Sequence, residues 1–250
     1  SDYIAMLSQL APELATCRPG QLKAAKLPAL RTLVQIGGKS SGMYGFDEIA
    51  GLANGSHRAH LEELAGRLQF DDPINIQFTS GTTGRPKGAT LSHHNILNNA
   101  VCGAELMNFS NRDRLVVPVP LYHCFGMVGG SLVCVSQGAT MILPGAAFDP
   151  GEALTAVQAE HATALHGVPT MFIAELSHPM FDMFDLSSLR TGIMAGSPCP
   201  EETMRQVMEK MHCTDITIAY GLTEASPVIT QTRTDDLVTQ RTGTVGAALP

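Results

Sequence analysis

Apolar, β-branched runs recur along the chain at Thr32–Ile36, Ile74–Thr79, Arg114–Val119, Ala139–Leu143, Thr163–His166, Thr191–Ala195 and Asp215–Ala219, with helical spacings between most of them. Several of these runs are apolar on both faces instead of alternating, the pattern of strands in a parallel sheet covered by helices on each side. The helix ends are legible. Ser92 is a capping hydroxyl for a helix running to Met107, and Asp149-Pro150 opens another that turns Leu154 and Val157 inward. Pro169 and Pro200 suit the first turns of Pro169–Leu176 and Pro200–Met211, the second with Glu201 and Glu202 at its positive end. This alternation predicts an α/β fold. Its clearest break is the polar turn Asn108–Arg112, which predicts one α/β subdomain over 1–112 and a second over 113–250. Gly37–Gly45 reads as a loop. Cys124–Val135, with its three glycines, reads as a buried helix too short to span a bilayer.

The strongest chemical signal follows the run Ile74–Phe78, read as a buried strand. In Thr79-Ser80-Gly81-Thr82-Thr83-Gly84-Arg85-Pro86-Lys87-Gly88, four hydroxyl residues and three glycines precede or surround a lysine. Glycines let backbone approach an anion, N–H groups in such a turn form a nest, and a lysine supplies a point charge. A flexible surface loop has the same composition, but the lysine, the proline and the preceding strand favour a phosphate cradle. The spacing is not that of a Walker loop, since Gly88 rather than Ser or Thr follows Lys87, nor that of a dinucleotide fingerprint.

Three further segments follow expected strands: Pro120-Leu121-Tyr122-His123-Cys124-Phe125-Gly126, Ala195-Gly196-Ser197-Pro198-Cys199-Pro200 and Tyr220-Gly221-Leu222-Thr223-Glu224. Ligands of open α/β sheets sit beyond the carboxyl ends of strands. Tyrosine can stack on a purine, threonine can bond a phosphate, and a carboxylate can hold Mg²⁺. Each segment also has a plainer reading, with His123 as a hydrogen-bonded strand end, 195–200 as a strand-to-helix turn and Glu224 as a surface or capping acid.

In order, Thr79–Gly88, Pro120–Gly126, Ala195–Pro200, Tyr220–Glu224 and Gly243–Pro250 resemble the signature motifs of the adenylate-forming superfamily, which holds acyl-CoA synthetases, luciferases and peptide-synthetase adenylation domains. The resemblance covers 74–250; residues 1–73 fit by position only. It implies the two layered α/β subdomains of the acyl-CoA synthetase N-terminal domain, cut at both ends. It implies that Thr79, Ser80, Gly81, Thr82, Thr83, Gly84 and Lys87 hold the β- and γ-phosphates of ATP, and that His123 stands at the substrate carboxylate or gates the acyl pocket. Gly196, Ser197, Pro198, Tyr220 and Gly221 would border adenine and the acyl group, Thr223 would bond the α-phosphate and Glu224 would hold Mg²⁺. Catalysis would rest on Lys87, Thr223, Glu224 and His123. The family's Thr-Gly-Asp element and its C-terminal lysine would follow Pro250, so residues 1–250 alone are expected to be inactive.

The implied reaction is ATP- and Mg²⁺-dependent formation of acyl-AMP, then thioester formation with coenzyme A. Leu121–Phe125 carries no acid to hold an amino group, and Met127, Val128 and Leu132 are apolar. The resemblance of Pro120–Gly126 and Tyr220–Pro227 is to medium- and long-chain fatty acyl-CoA synthetases, with an apolar tunnel near residues 123–132 and Gly126, Gly129 and Gly130 letting the chain lie close. An acyl-AMP ligase loading a carrier protein, an aryl acid-CoA ligase, a luciferase-like oxidase and a non-catalytic nucleotide-binding module share these motifs.

Composition narrows the partners. The net charge of −7 speaks against a nucleic-acid surface. The six cysteines form no CxxC pair and sit in apolar segments, as reduced core thiols of a cytoplasmic protein do. No targeting or transmembrane segment stands out, and a homodimer is left open. His93 and His94 point to different sides of a helix, so a metal set with His123 is disfavoured. Asp71-Asp72, Glu62-Glu63 and Asp235-Asp236 read as solvated acids.

Overall fold

The computed structural model of the protein describes residues 2–80 and 84–249. The chain divides between Leu68 and Gln69 into two compact units. In the first, α1 (Tyr3–Leu10) is capped by the Asp2 carboxylate, which accepts from the Ala5 N–H at 3.0 Å. β1 (Val34–Gln35) pairs in parallel with β2 (Tyr44–Gly45), and α2 (Gly55–Ala65) closes the unit. Ala11, Leu14, Leu22, Leu33 and Met43 form its small core. The strand expected over Thr32–Ile36 shrinks to two residues because only Leu33 turns inward, while Val34 and Ile36 stay exposed.

The second unit opens with an antiparallel hairpin, β3 (Pro73–Thr79) and β4 (Lys87–Ser92). Here the structure corrects the expectation of a buried strand. Side chains alternate along β3, and it is Asn75, Gln77 and Thr79 that are half-buried, while Ile74, Ile76 and Phe78 are exposed, Phe78 to 76%. The polar row bonds inward: both amides donate to the Met127 sulfur, at 3.6 and 3.7 Å.

Ser92 then caps α3 (His93–Leu106), its hydroxyl accepting from the Asn95 N–H. After β5 (Arg114–Val116) comes a π-helix over Phe125–Leu132, then α4 (Val133–Gln137), β6 (Thr140–Ile142), α5 (Pro150–Ala159), β7 (Ala164–Gly167), α6 (Pro169–Leu176), β8 (Thr191–Ala195), α7 (Glu201–Lys210), β9 (Asp215–Gly221), β10 (Val228–Gln231), α8 (Val238–Gly243) and β11 (Ala247–Ala248). The sheet order is β11-β10-β9-β8-β7-β5-β6, parallel from β6 to β9 and antiparallel at β10 and β11. Consecutive residues feed opposite cores. Leu115, Ala164 and Ile193 pack against α3, the π-helix and α4, whereas Val116, Leu165 and Met194 pack with residues of α5, α6 and α7. The expected α/β class and its doubly covered parallel strands are thus present. Gly192 is required by strand spacing, since a Cβ there would lie 1.9 Å from the Leu165 carbonyl oxygen.

The turn Asn108–Arg112 lies inside this unit, joining α3 to β5. Buried Asp113 fastens it, accepting from the Ser110 N–H at 2.8 Å, from the Thr163 hydroxyl at 2.7 Å and from the Arg190 guanidinium at 2.7 Å. Burial opposes ionisation of Asp113, but its bonds to Arg190, Thr163 and Ser110 outweigh that and hold its carboxyl below the usual range.

Candidate active site

Strands β5, β8 and β9 all deliver loops to the same edge of the sheet. A cavity of about 340 Å³ lies there, lined by Thr79, His123, Phe125, Gly129, Tyr220 and Glu224 among others. A second, of about 700 Å³, adjoins it and is bordered by Gly196, Ser197, Pro198, Tyr220, Gly221 and Thr244. Tyr220, at the end of β9 and half exposed, faces both. The four motif segments that the sequence separates by up to 145 positions therefore converge, the widest link being the Thr79 hydroxyl donating to Glu224 Oε1 at 3.4 Å.

Each side chain is placed by local backbone. Thr79 ends β3, and Lys87 begins β4 as its direct cross-strand partner, so both project from the same face of the hairpin. Glu224 sits on the 3₁₀ turn Thr223–Ala225 that follows β9. The hydroxyl of Thr223 meets the Cys124 sulfur at 3.5 Å, tying that turn to the segment after β5. His123 accepts the Phe125 N–H on Nδ1 at 3.0 Å, which assigns the proton of the neutral ring to Nε2. Its ring nitrogen also lies 3.8 Å from the Cys124 sulfur; the thiol raises the imidazole pKa against the opposing effect of burial. Gly196 takes φ +90° after β8, a region that favours glycine, and a Cβ there would press on Val168 at 3.0 Å. Gly221 is bare because a Cβ would lie 2.1 Å from the Pro227 carbonyl oxygen. Ser80 and Gly84 are exposed, as are Ser197 and Pro198, which border the second cavity. Gly81, Thr82 and Thr83 lie outside the described residues.

The structure revises the part given to the glycines after His123. A Cβ on Gly126 would strike the Pro120 carbonyl oxygen at 2.3 Å, and one on Gly130 the Val117 side chain at 2.8 Å. Gly126 lets the π-helix seat on the backbone behind it and Gly130 lets it seat on the Val117 side chain; of the three glycines only Gly129 borders the cavity. Sequence reasoning singles out none of Ile193, Ala219, Pro227 and Val228, all of which line the cavity. Nor does it find Asn99, which clamps Val228 with two bonds, its amide donating to the carbonyl at 2.7 Å and its oxygen accepting the N–H at 3.1 Å. The nearest signal is that Asn99 lies on the helix whose cap was legible.

For a hard cation, the Glu224 carboxylate and Thr79 hydroxyl offer two oxygens at the cavity mouth, a fit for Mg²⁺ that shares its shell with phosphate and water. His93 and His94 do not join His123. His94 instead pairs with Asp71 at 3.1 Å on the surface, so Asp71 is a partnered acid, and among the described residues no group of three ligating side chains forms.

The AMP-binding enzyme profile matches residues 15–250. The chain belongs to the AMP-binding enzyme family. Among its relatives is the putative acyl-CoA synthetase YngI of Bacillus subtilis, 55% identical over all of this chain and 46% of that protein. The mitochondrial medium-chain acyl-CoA ligase ACSF2 of Homo sapiens is 42% identical, again over all of this chain and 41% of its own length. The crystal structure of ATP-bound MatB from Rhodopseudomonas palustris superposes with a TM-score of 0.61 at 33% identity, over 73% of this chain and 35% of that one. This AMP-binding enzyme chain thus spans less than half the length of the curated relatives it matches.

Proposed function

We propose that the full protein activates a medium- or long-chain carboxylic acid with ATP, giving acyl-AMP and pyrophosphate, and then passes the acyl group to the thiol of coenzyme A. The observation that carries this is that Thr79, Thr223 and Glu224 line one cavity, with Lys87 paired to Thr79 on the neighbouring strand, and that Phe125, Ile193, Ala219 and Val228 are among its other walls. The acceptor follows the relatives, which are named acyl-CoA synthetase and ligase.

In this reading a carboxylate oxygen attacks the α-phosphorus, and the bond to pyrophosphate breaks in line. Two anions must meet, so the protein's work is positioning and charge neutralisation. Lys87, with the hydroxyls of 79–83, holds the departing phosphates. Tyr220 offers its exposed face to adenine beside Gly196–Pro198, and Thr223 donates to the α-phosphate. His123 can give its Nε2–H to the acid, since Nδ1 is already committed. Glu224 would hold Mg²⁺, which neutralises phosphate charge. The apolar walls exclude water from the adenylate.

Among the described residues no helix is long and apolar enough to cross a membrane. All six cysteines are free thiols, which supports a reducing, cytoplasmic setting.

The test is ATP–pyrophosphate exchange by the full-length protein on acids from acetate to palmitate, with benzoate and free amino acids alongside. Exchange should peak on a medium or long acid. Lys87→Ala and Glu224→Gln should each slow it roughly 100-fold, the scale of a lost charge-stabilising contact. Undiminished exchange in both variants would sink the assignment.

A further inference from the structure

His166, on β7, is fully buried, and the proposed chemistry gives it no task. It does not line the 340 Å³ cavity, yet it touches three residues that do. Its Nδ1 accepts the Ile193 N–H at 3.1 Å, its Nε2–H donates to the Gly129 carbonyl at 2.9 Å, and its ring stacks on Phe125 with centroids 5.6 Å apart and planes 23° from parallel. A backbone N–H can only donate, so Nδ1 must be bare, which fixes the tautomer and the ring orientation. Burial lowers its pKa to about 4, with the bond to Gly129 only partly opposing, so the ring is neutral at physiological pH.

Gly129 completes the arrangement. A Cβ there would come within 3.1 Å of the Phe125 ring, so that ring rests directly over a bare Cα whose carbonyl His166 holds. One side chain therefore joins the π-helix, through Gly129 and Phe125, to β8, through Ile193. Loosening it frees two elements of the cavity wall at once.

We propose that His166 is a positioning residue for acid selection: by holding Phe125, Gly129 and Ile193 it sets the width of the apolar end of the cavity, and so which acids fit. This rests on the acid-activation reading above. If His166 were only a core residue, its loss would lower every rate alike and leave the preference among acids untouched.

The experiment measures ATP–pyrophosphate exchange by the full-length enzyme on saturated acids from butyrate to palmitate, with KM for acid and for ATP, in wild type, His166→Leu, His166→Gln and Gly129→Ala. His166→Leu loses both bonds and should raise KM for the preferred acid about tenfold, the scale of one buried hydrogen bond left unmade, with KM for ATP unchanged and the length preference broadened. His166→Gln keeps a donor for the Gly129 carbonyl and should recover most of the preference. Gly129→Ala crowds the Phe125 ring and should move the optimum to shorter acids. An unmoved preference in His166→Leu and Gly129→Ala, or KM for ATP rising in step with KM for acid, overturns the proposal. Should His166→Leu not fold, Gly129→Ala decides alone. No exchange by wild type with any acid defeats the acid-activation reading itself, and this inference with it.

Discussion

Glu175 gives a direct test of how the core of the larger unit is built. It lies on α6, 1% exposed, and its Oε2 has no hydrogen-bond partner. Burial pushes its carboxyl pKa well above the ordinary 4.5. The sign follows by linkage. Below the unfolded value both states hold the proton and nothing is lost. Above it the unfolded chain releases the proton while the folded chain keeps it, so stability falls as pH rises, until the folded value is reached. The slope across that window is about 1.4 kcal/mol per pH unit. Glu175→Leu removes both the titration and the unpartnered oxygen, so it should stabilise the protein, and by more at pH 7 than at pH 5. Glu175→Gln should remove the slope while leaving a buried amide unpaired, and so gain less. Urea unfolding at pH 5, 6 and 7 reads all three proteins. A wild-type-minus-Leu difference that stays constant with pH would refute the reasoning, because it would mean that Glu175 ionises equally in both states.

Three further outcomes are expected. Asp113→Ala removes the buried acceptor shared by the Ser110 N–H, the Thr163 hydroxyl and Arg190, which keeps its bonds to the Asn108 and Met107 carbonyls, and should cost about 2 kcal/mol in denaturant unfolding; because the Asp113 pKa is lowered in the fold, the gap to wild type should close as pH falls through that folded value. Gly192→Ala forces a Cβ to 1.9 Å from the Leu165 carbonyl oxygen, and a melting scan should show loss of the cooperative transition or a cost of about 3 kcal/mol or more. Tyr220→Ala removes the aromatic face shared by the two cavities, and KM for ATP should rise about tenfold on loss of a stacking contact while KM for the acid moves less.

What was legible in the sequence was local. Ser92, Asp149, Pro169 and Pro200 act on the turn they begin, and the helices start where those residues stand. The strands β5, β7, β8 and β9 were visible because both their faces are largely buried, which leaves an uninterrupted apolar run. The order of motif segments pointed to the edge where the cavity lies. The failures were tertiary. β4 was hidden because Lys87–Ser92 reads as the tail of one motif and the cap of a helix, and only pairing with β3 makes it a strand. β3 itself was read as a buried strand, whereas only its polar row Asn75, Gln77 and Thr79 turns toward Met127 and Glu224. His166 looked like the last residue of a strand; its three contacts come from segments 27 to 41 positions away.

The π-helix over Phe125–Leu132 has an evolutionary corollary. Such a widened turn corresponds to an α-helix carrying an added residue, and such bulges recur at functional sites. Removing one residue within it would let the helix rewind at 3.6 residues per turn, swinging everything on one side of the deletion by about 100° relative to the other. Gly130 would leave Val117, or Phe125 would leave His166, with no side chain substituted. Single-residue insertions and deletions in this stretch are therefore a route by which homologous chains can re-cut the cavity while the sheet beneath stays fixed.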